Sequence, residues 1–175
     1  MNETSTVLLI GLLAIATWHD VRSHRIPNAL ILTGWISGVL LSAGLNGMTG
    51  IASAIAGGII GLAALLPFYL IRTLGAGDVK LMAVVGVFLG PGGVLMAILG
   101  TFLAGGIMAL VMAIRMGTAS RLLQNVKLML FGVAVKISAG QAPIINDPPV
   151  SVGKLPYAAA ISVGTLGYLI WQHTG

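Results

Sequence analysis

The chain of 175 residues contains no cysteine, which excludes disulfides, thiolate zinc sites and a cysteine nucleophile. Charge is nearly as scarce: Asp, Glu, Lys and Arg together make up 7% of the residues, and only four are acidic. A conventional aqueous-domain surface is therefore excluded. Three histidines do not replace the missing thiolates. His19 and His24 flank Asp20, but two imidazoles and one carboxylate at that spacing match no recognised ligand pattern, so neither a metal nor a cofactor is expected. The opening Met1-Asn2-Glu3-Thr4 lacks the basic stretch of a secretory signal, and no small-residue cleavage site follows the first apolar run. That first segment is expected to be retained.

What the chain has in abundance is apolar sequence. Hydrophobic residues account for 57% and the mean hydropathy is +1.03, values that belong to multi-pass membrane proteins. A helix needs about 20 apolar residues to cross roughly 30 Å of hydrocarbon. On that basis the expected fold is an all-α polytopic membrane protein of about six transmembrane helices. They fall near residues 5–20, 29–45, 51–71, 79–90, 93–114 and 156–172, separated by turn formers such as Asn46-Gly47 and Gly90-Pro91-Gly92-Gly93. The whole chain, 1–175, reads as one integral-membrane domain.

The basic residues give an orientation, because Lys and Arg near segment ends collect on the cytoplasmic side. Arg22 and Arg25 lie between segments one and two, and Arg72 and Lys80 flank the link from three to four. Arg115, Arg121, Lys127, Lys136 and Lys154 lie between five and six. All nine thus share one face, which places both termini outside and the links at 46–50 and 90–93 on the external face. The long basic link, 115–155, is expected to be cytoplasmic and interfacial. Its first half repeats Leu122, Leu123, Val126, Met129, Leu130 and Val133 near helical spacing, as an amphipathic helix on the membrane surface would. The net charge of +5 then fits anionic lipid as partner, and no nucleic acid is expected.

Two of the four acidic residues, Asp20 and Asp78, adjoin apolar runs, and the topology brings both to the cytoplasmic end. Ionisable groups at membrane segments are functional candidates by default. Two facing carboxylates do not both ionise cheaply, so they share a proton: one activates water while the other protonates a carbonyl oxygen, with neither fixed as base or acid. Simpler roles compete with this. Asp78 suits a helix N-cap, and Asp20 suits an interfacial ion pair with Arg22 or Arg25. Segment four spans only about 18 Å from Val79 to Gly90, which leaves Asp78 below the membrane surface.

Gly75 and Gly77 remove side chains where an extended substrate backbone would approach, or form an ordinary flexible turn. Pro27, in Ile26-Pro27-Asn28, suits the first turn of segment two. Gly57-xxx-Gly61 and Gly86-xxx-Gly90 permit close helix approach. Eight methionines read as packing.

The ordered set of Asp20, Arg25-Ile26-Pro27-Asn28, Gly75-Ala76-Gly77-Asp78-Val79-Lys80-Leu81 and Lys154-Leu155-Pro156-Tyr157-Ala158 resembles the type IV prepilin peptidases, GxGD intramembrane aspartyl proteases. The resemblance spans all six segments and is far more specific than GxGD alone. It implies that Asp20 and Asp78 are the catalytic aspartates, with Gly75, Gly77, Lys80, Pro27 and Asn28 shaping the site. It also implies a prepilin or pseudopilin substrate, cut after a glycine to remove a short basic leader on the cytoplasmic side of the bacterial inner membrane. Longer members of that family carry paired cysteines in a cytoplasmic region between the first two segments and methylate the new N-terminus. Here the link is short and cysteine is absent, so methylation is not expected, and the chain resembles the peptidase-only branch serving Flp-type tight-adherence pili. Archaeal preflagellin peptidases are related in mechanism. Two other classes of function remain as alternatives. One is a small transporter or channel subunit with a proton relay, against which stands the absence of acidic residues towards the outer face. The other is a non-catalytic pilus or secretion assembly subunit.

Overall fold

The computed structural model describes residues 2–71, 73–115, 117 and 156–174. Among them are four helices and no strand: α1 (Glu3–Ser23), α2 (Asn28–Leu70), α3 (Ala76–Arg115) and α4 (Tyr157–Thr174). Residues 1–105 and 156–175 form one compact unit. Of a second unit, 106–155, the described part is the end of α3 and Gly117. The amphipathic helix expected in the first half of 115–155 lies outside the described residues.

Local chemistry fixes the helix ends. Asn2 caps α1, its side-chain oxygen accepting from the Ser5 N–H at 3.0 Å. His24 closes the same helix in the left-handed region, φ 49°, donating its N–H to the Asp20 carbonyl at 2.8 Å. Pro27 stands just before α2, with φ −61° and ψ 132°, and its carbonyl accepts the Leu30 N–H at 3.1 Å. It is thus one step outside the first turn expected for it.

Both long helices are broken by a glycine. Gly47 interrupts α2 at φ 58°, ψ −136°, and Gly90 interrupts α3 at φ 71°, ψ −178°, conformations in which a Cβ would be strained. Pro91 follows Gly90 and begins the next helical stretch, where its missing N–H has no helical partner to lose. The described residues therefore form helical stretches at 3–23, 28–46, 48–70, 76–89, 91–115 and 157–174. α1, α2 and α3 are long and apolar enough to cross a membrane. Their outward faces carry side chains such as Val7, Leu40, Leu70 and Leu103, all well exposed, as lipid contact requires.

Several boundaries shift by up to three residues, and the shift that bears on the site is the start of α3, at Ala76 rather than Val79. The Gly75 carbonyl accepts the Asp78 N–H at 3.1 Å and the Val79 N–H at 3.4 Å, so the first turn is already closed through the glycine stretch.

The first half of α3 is the core. Val79, Leu81, Met82, Ala83, Val84, Val85 and Val87 are all buried. Glycines let the neighbours approach it. A Cβ on Gly34 would lie 2.7 Å from Val84, and one on Gly38 would overlap Val87. On the opposite side Gly57 meets the backbone of Gly86 and Gly90, and Gly61 the backbone of Met82. Gly58 faces Trp35, and Gly50 faces the Ser42 carbonyl, so the two halves of α2 run antiparallel about Gly47. α4 packs antiparallel to α1, with the Thr17 and Ser162 hydroxyls 2.8 Å apart. This alternation brings the end of α1 and the starts of α2, α3 and α4 to one end of the unit.

Candidate active site

At that end lie Asp20 and Asp78. Asp20 occupies the last turn of α1 and Asp78 the first turn of α3, and both are buried, at 6% and 8% exposure. They are near enough for the charge of Asp20 to act on Asp78. The charge of Asp78 in turn reaches the hydroxyl of Tyr157, the first residue of α4. Three helices thus converge on one acidic pair.

Each carboxylate is held by a backbone donor at a helix start. Asp78 sits at the third position of α3 and accepts the Gly75 N–H through Oδ2 at 3.1 Å. This is the backward half of a capping box, in which a third-position side chain reaches the residue before the helix. The sequence suggested an N-cap, and the capping function is present, displaced by three positions because Gly75 takes the cap itself. Asp20 accepts through Oδ2 from the Ala158 N–H at 3.0 Å, a buried bond across 138 residues of chain. Of the two expected ion-pair partners, Arg22 and Arg25, Arg22 is turned onto Trp18, its guanidinium 4.3 Å from the ring centroid.

The other sequence candidates gather around this pair. A Cβ on Gly77 would stand 3.2–3.4 Å from three Ile26 side-chain atoms, so the missing side chain admits the residue just before Pro27. A Cβ on Gly75 would meet Asp78 Oδ2 at 3.1 Å, which ties the glycine to the carboxylate it donates to. Neither glycine adopts a positive φ. Lys80 Nζ donates to Asn28 Oδ1 at 3.0 Å in an exposed bond, linking the starts of α2 and α3 beside Asp78. Among the described residues no group of three or more His, Asp or Glu side chains is placed to hold a metal. The contribution the sequence did not disclose is the Ala158 backbone, whose role depends on a pairing no local pattern encodes.

A family model described as the type IV leader peptidase family matches residues 7–110. The chain belongs to this family. Comparisons with curated proteins and with solved structures gave no match. The matched span of this type IV leader peptidase holds both aspartates and the Lys80–Asn28 contact, and it stops before α4. The family is one of peptidases of the aspartic type acting on prepilins, and the long apolar helices make this member a membrane protein.

Proposed function

We propose that Asp20 and Asp78 are the catalytic pair of an intramembrane endopeptidase that removes the short basic leader from Flp-like prepilins. The observation that carries the reading is the placement of two buried carboxylates from different helices within electrostatic reach at one end of the unit. A shared proton makes such a pair competent for peptide hydrolysis. The ionised carboxylate takes a proton from water as its oxygen attacks the scissile carbonyl carbon, and the protonated carboxyl gives its proton to the carbonyl oxygen. Collapse of the resulting diol breaks the C–N bond, and a proton passes to the departing nitrogen. The products are the leader's new carboxylate and a free amine on the pilin.

The catalytic end is cytoplasmic in this reading. Arg22, Arg25 and Lys80 all belong to it, in keeping with the enrichment of cations on that side of an inner membrane. The beginning of α1 and the end of α4 lie at the opposite, external end. Six helical stretches, counting the two halves of α2 and of α3 separately, would then make up the membrane bundle, with the short stretch 76–89 spanning only about 21 Å and leaving Asp78 below the membrane surface.

The test is leader cleavage in detergent by the parent, Asp20→Asn and Asp78→Asn at matched folded concentration. Each single variant is expected to lose activity by at least about a thousandfold, because a paired catalytic group acts as a unit with its partner. If both variants keep cleaving, the aspartates are helix caps and the peptidase uses other groups.

A further inference from the structure

We infer that the start of α4 is a positioning element of the proteolytic site, with the Ala158 N–H fixing the carboxylate of Asp20. This rests on the reading of Asp20 as a catalytic group and adds to it a residue beyond the span that the family model matches.

The first N–H groups of a helix have no partner within it, and a buried one needs an acceptor from elsewhere. At the start of α4 the Ala159 N–H is served locally by the Pro156 carbonyl at 3.1 Å. The Ala158 N–H is served by Asp20 Oδ2, in a bond that is itself buried. From the side of Asp20 the need is as strong. Its carboxylate is enclosed, its near cation Arg22 lies over Trp18, and its own backbone carbonyl is occupied in ending α1 with the His24 N–H. The donor at Ala158, aided by the positive end of the helix, holds one oxygen in place. Among the described residues the other oxygen has no hydrogen-bond donor.

The register of α1 against α4 supports the same arrangement. Thr17 Oγ1 contacts both Ser162 Oγ, at 2.8 Å, and the Ala158 carbonyl, at 3.4 Å, while Ser162 Oγ reaches the Leu13 carbonyl at 3.5 Å. These contacts lie one and two turns from Asp20 and set the height at which the α4 start meets it. Asp78 needs no such device, because its donor, Gly75, is three residues away in the same turn. The two carboxylates are therefore oriented by equivalent backbone donors, one local and one delivered by the last helix.

The experiment replaces Ala158 by L-lactic acid in the full chain, exchanging the N–H for an ester oxygen and leaving the side chain unchanged. A matched ester at Ala159 removes a neighbouring N–H that does not face Asp20. Prepilin cleavage and thermal unfolding are measured in detergent for both. The ester at 158 is expected to lower kcat by about ten- to a hundredfold with KM unchanged, the usual worth of a charge-assisted hydrogen bond. The ester at 159 should keep kcat within about threefold while losing comparable stability. The inference is overturned if the ester at 158 retains kcat, or if the two esters lower it equally, since the bond would then serve only to cap the helix. Asp20→Asn run alongside separates the two levels. Full activity in that variant overturns the catalytic reading itself, whereas its inactivity beside an active ester at 158 removes only the positioning role.

Discussion

Gly57 is where a single methyl group has the most calculable effect. A Cβ there would overlap the Gly86 carbonyl and stand 2.8 Å from two backbone atoms of Gly90, whereas carbon atoms in good contact sit about 3.5–4.0 Å apart. The obstructing atoms are backbone, so no side chain can rotate out of the way, and the second half of α2 must part from the core helix. Overpacking of this kind costs about 1–3 kcal/mol, and the immobility of the obstruction puts Gly57→Ala near the upper end. Gly44 supplies the control. It lies in the same helix, and among the described residues nothing comes within 4 Å of its would-be Cβ. The gain in helix propensity, up to about 1 kcal/mol, is common to both substitutions and cancels on comparison. The difference between Gly57→Ala and Gly44→Ala is therefore about 3 kcal/mol, or about 6–12 °C in the unfolding midpoint for a chain of this size. Thermal unfolding in detergent, followed by tryptophan fluorescence, measures it. Gly86→Ala, which meets the Gly57 carbonyl, should fall with Gly57→Ala. Midpoints for Gly57→Ala and Gly44→Ala within about 1 °C of each other would refute the packing argument.

Two further outcomes follow from polar groups other than the acidic pair. Thr165 Oγ1 is buried without a hydrogen-bond partner among the described residues, so Thr165→Val should raise stability by about 1 kcal/mol, seen as a midpoint higher by about 2–4 °C, with cleavage unchanged; a lowered midpoint would mean that the hydroxyl has a partner. Lys80→Met and Asn28→Ala remove opposite ends of one contact. If that contact shapes the site, each should lower kcat/KM by a similar factor of about three to ten, and the double variant should lower it no further. Additive losses would show that the two side chains act separately.

Much of the arrangement is legible in the amino-acid sequence because a membrane bundle is written in coarse signals. Apolar run length and the turn formers Gly47 and Gly90 locate the helical stretches, and the distribution of cations brings Asp20 and Asp78 to one end. The spacings Gly57-xxx-Gly61 and Gly86-xxx-Gly90 reveal close helix contacts, and the structure pairs Gly57 with Gly86 and Gly61 with Met82. What escapes is set by geometry between distant residues or by short-range bonds that override propensity. Gly75-Ala76-Gly77 has the composition of a turn, yet the Gly75 carbonyl and the Asp78 side chain close a helical turn over it. Gly77 invites a reading in terms of substrate access, whereas the side of it where a Cβ would sit is filled by Ile26. Nothing local in Pro156-Tyr157-Ala158 says that its N–H will find Asp20.

The bond between Ala158 and Asp20 also has a place in time. Its two partners are 138 residues apart. A chain made at about 5–20 residues per second leaves Asp20 waiting about 7–28 s before Ala158 exists. Asp78 is itself made only part-way through that interval, and from then on both acidic residues are present for about 4–16 s without the donor from Ala158. A ribosome that stops short of the last helix leaves a membrane-embedded fragment carrying both carboxylates and lacking the clasp on the first. The donor that orients Asp20 is thereby always made after both carboxylates.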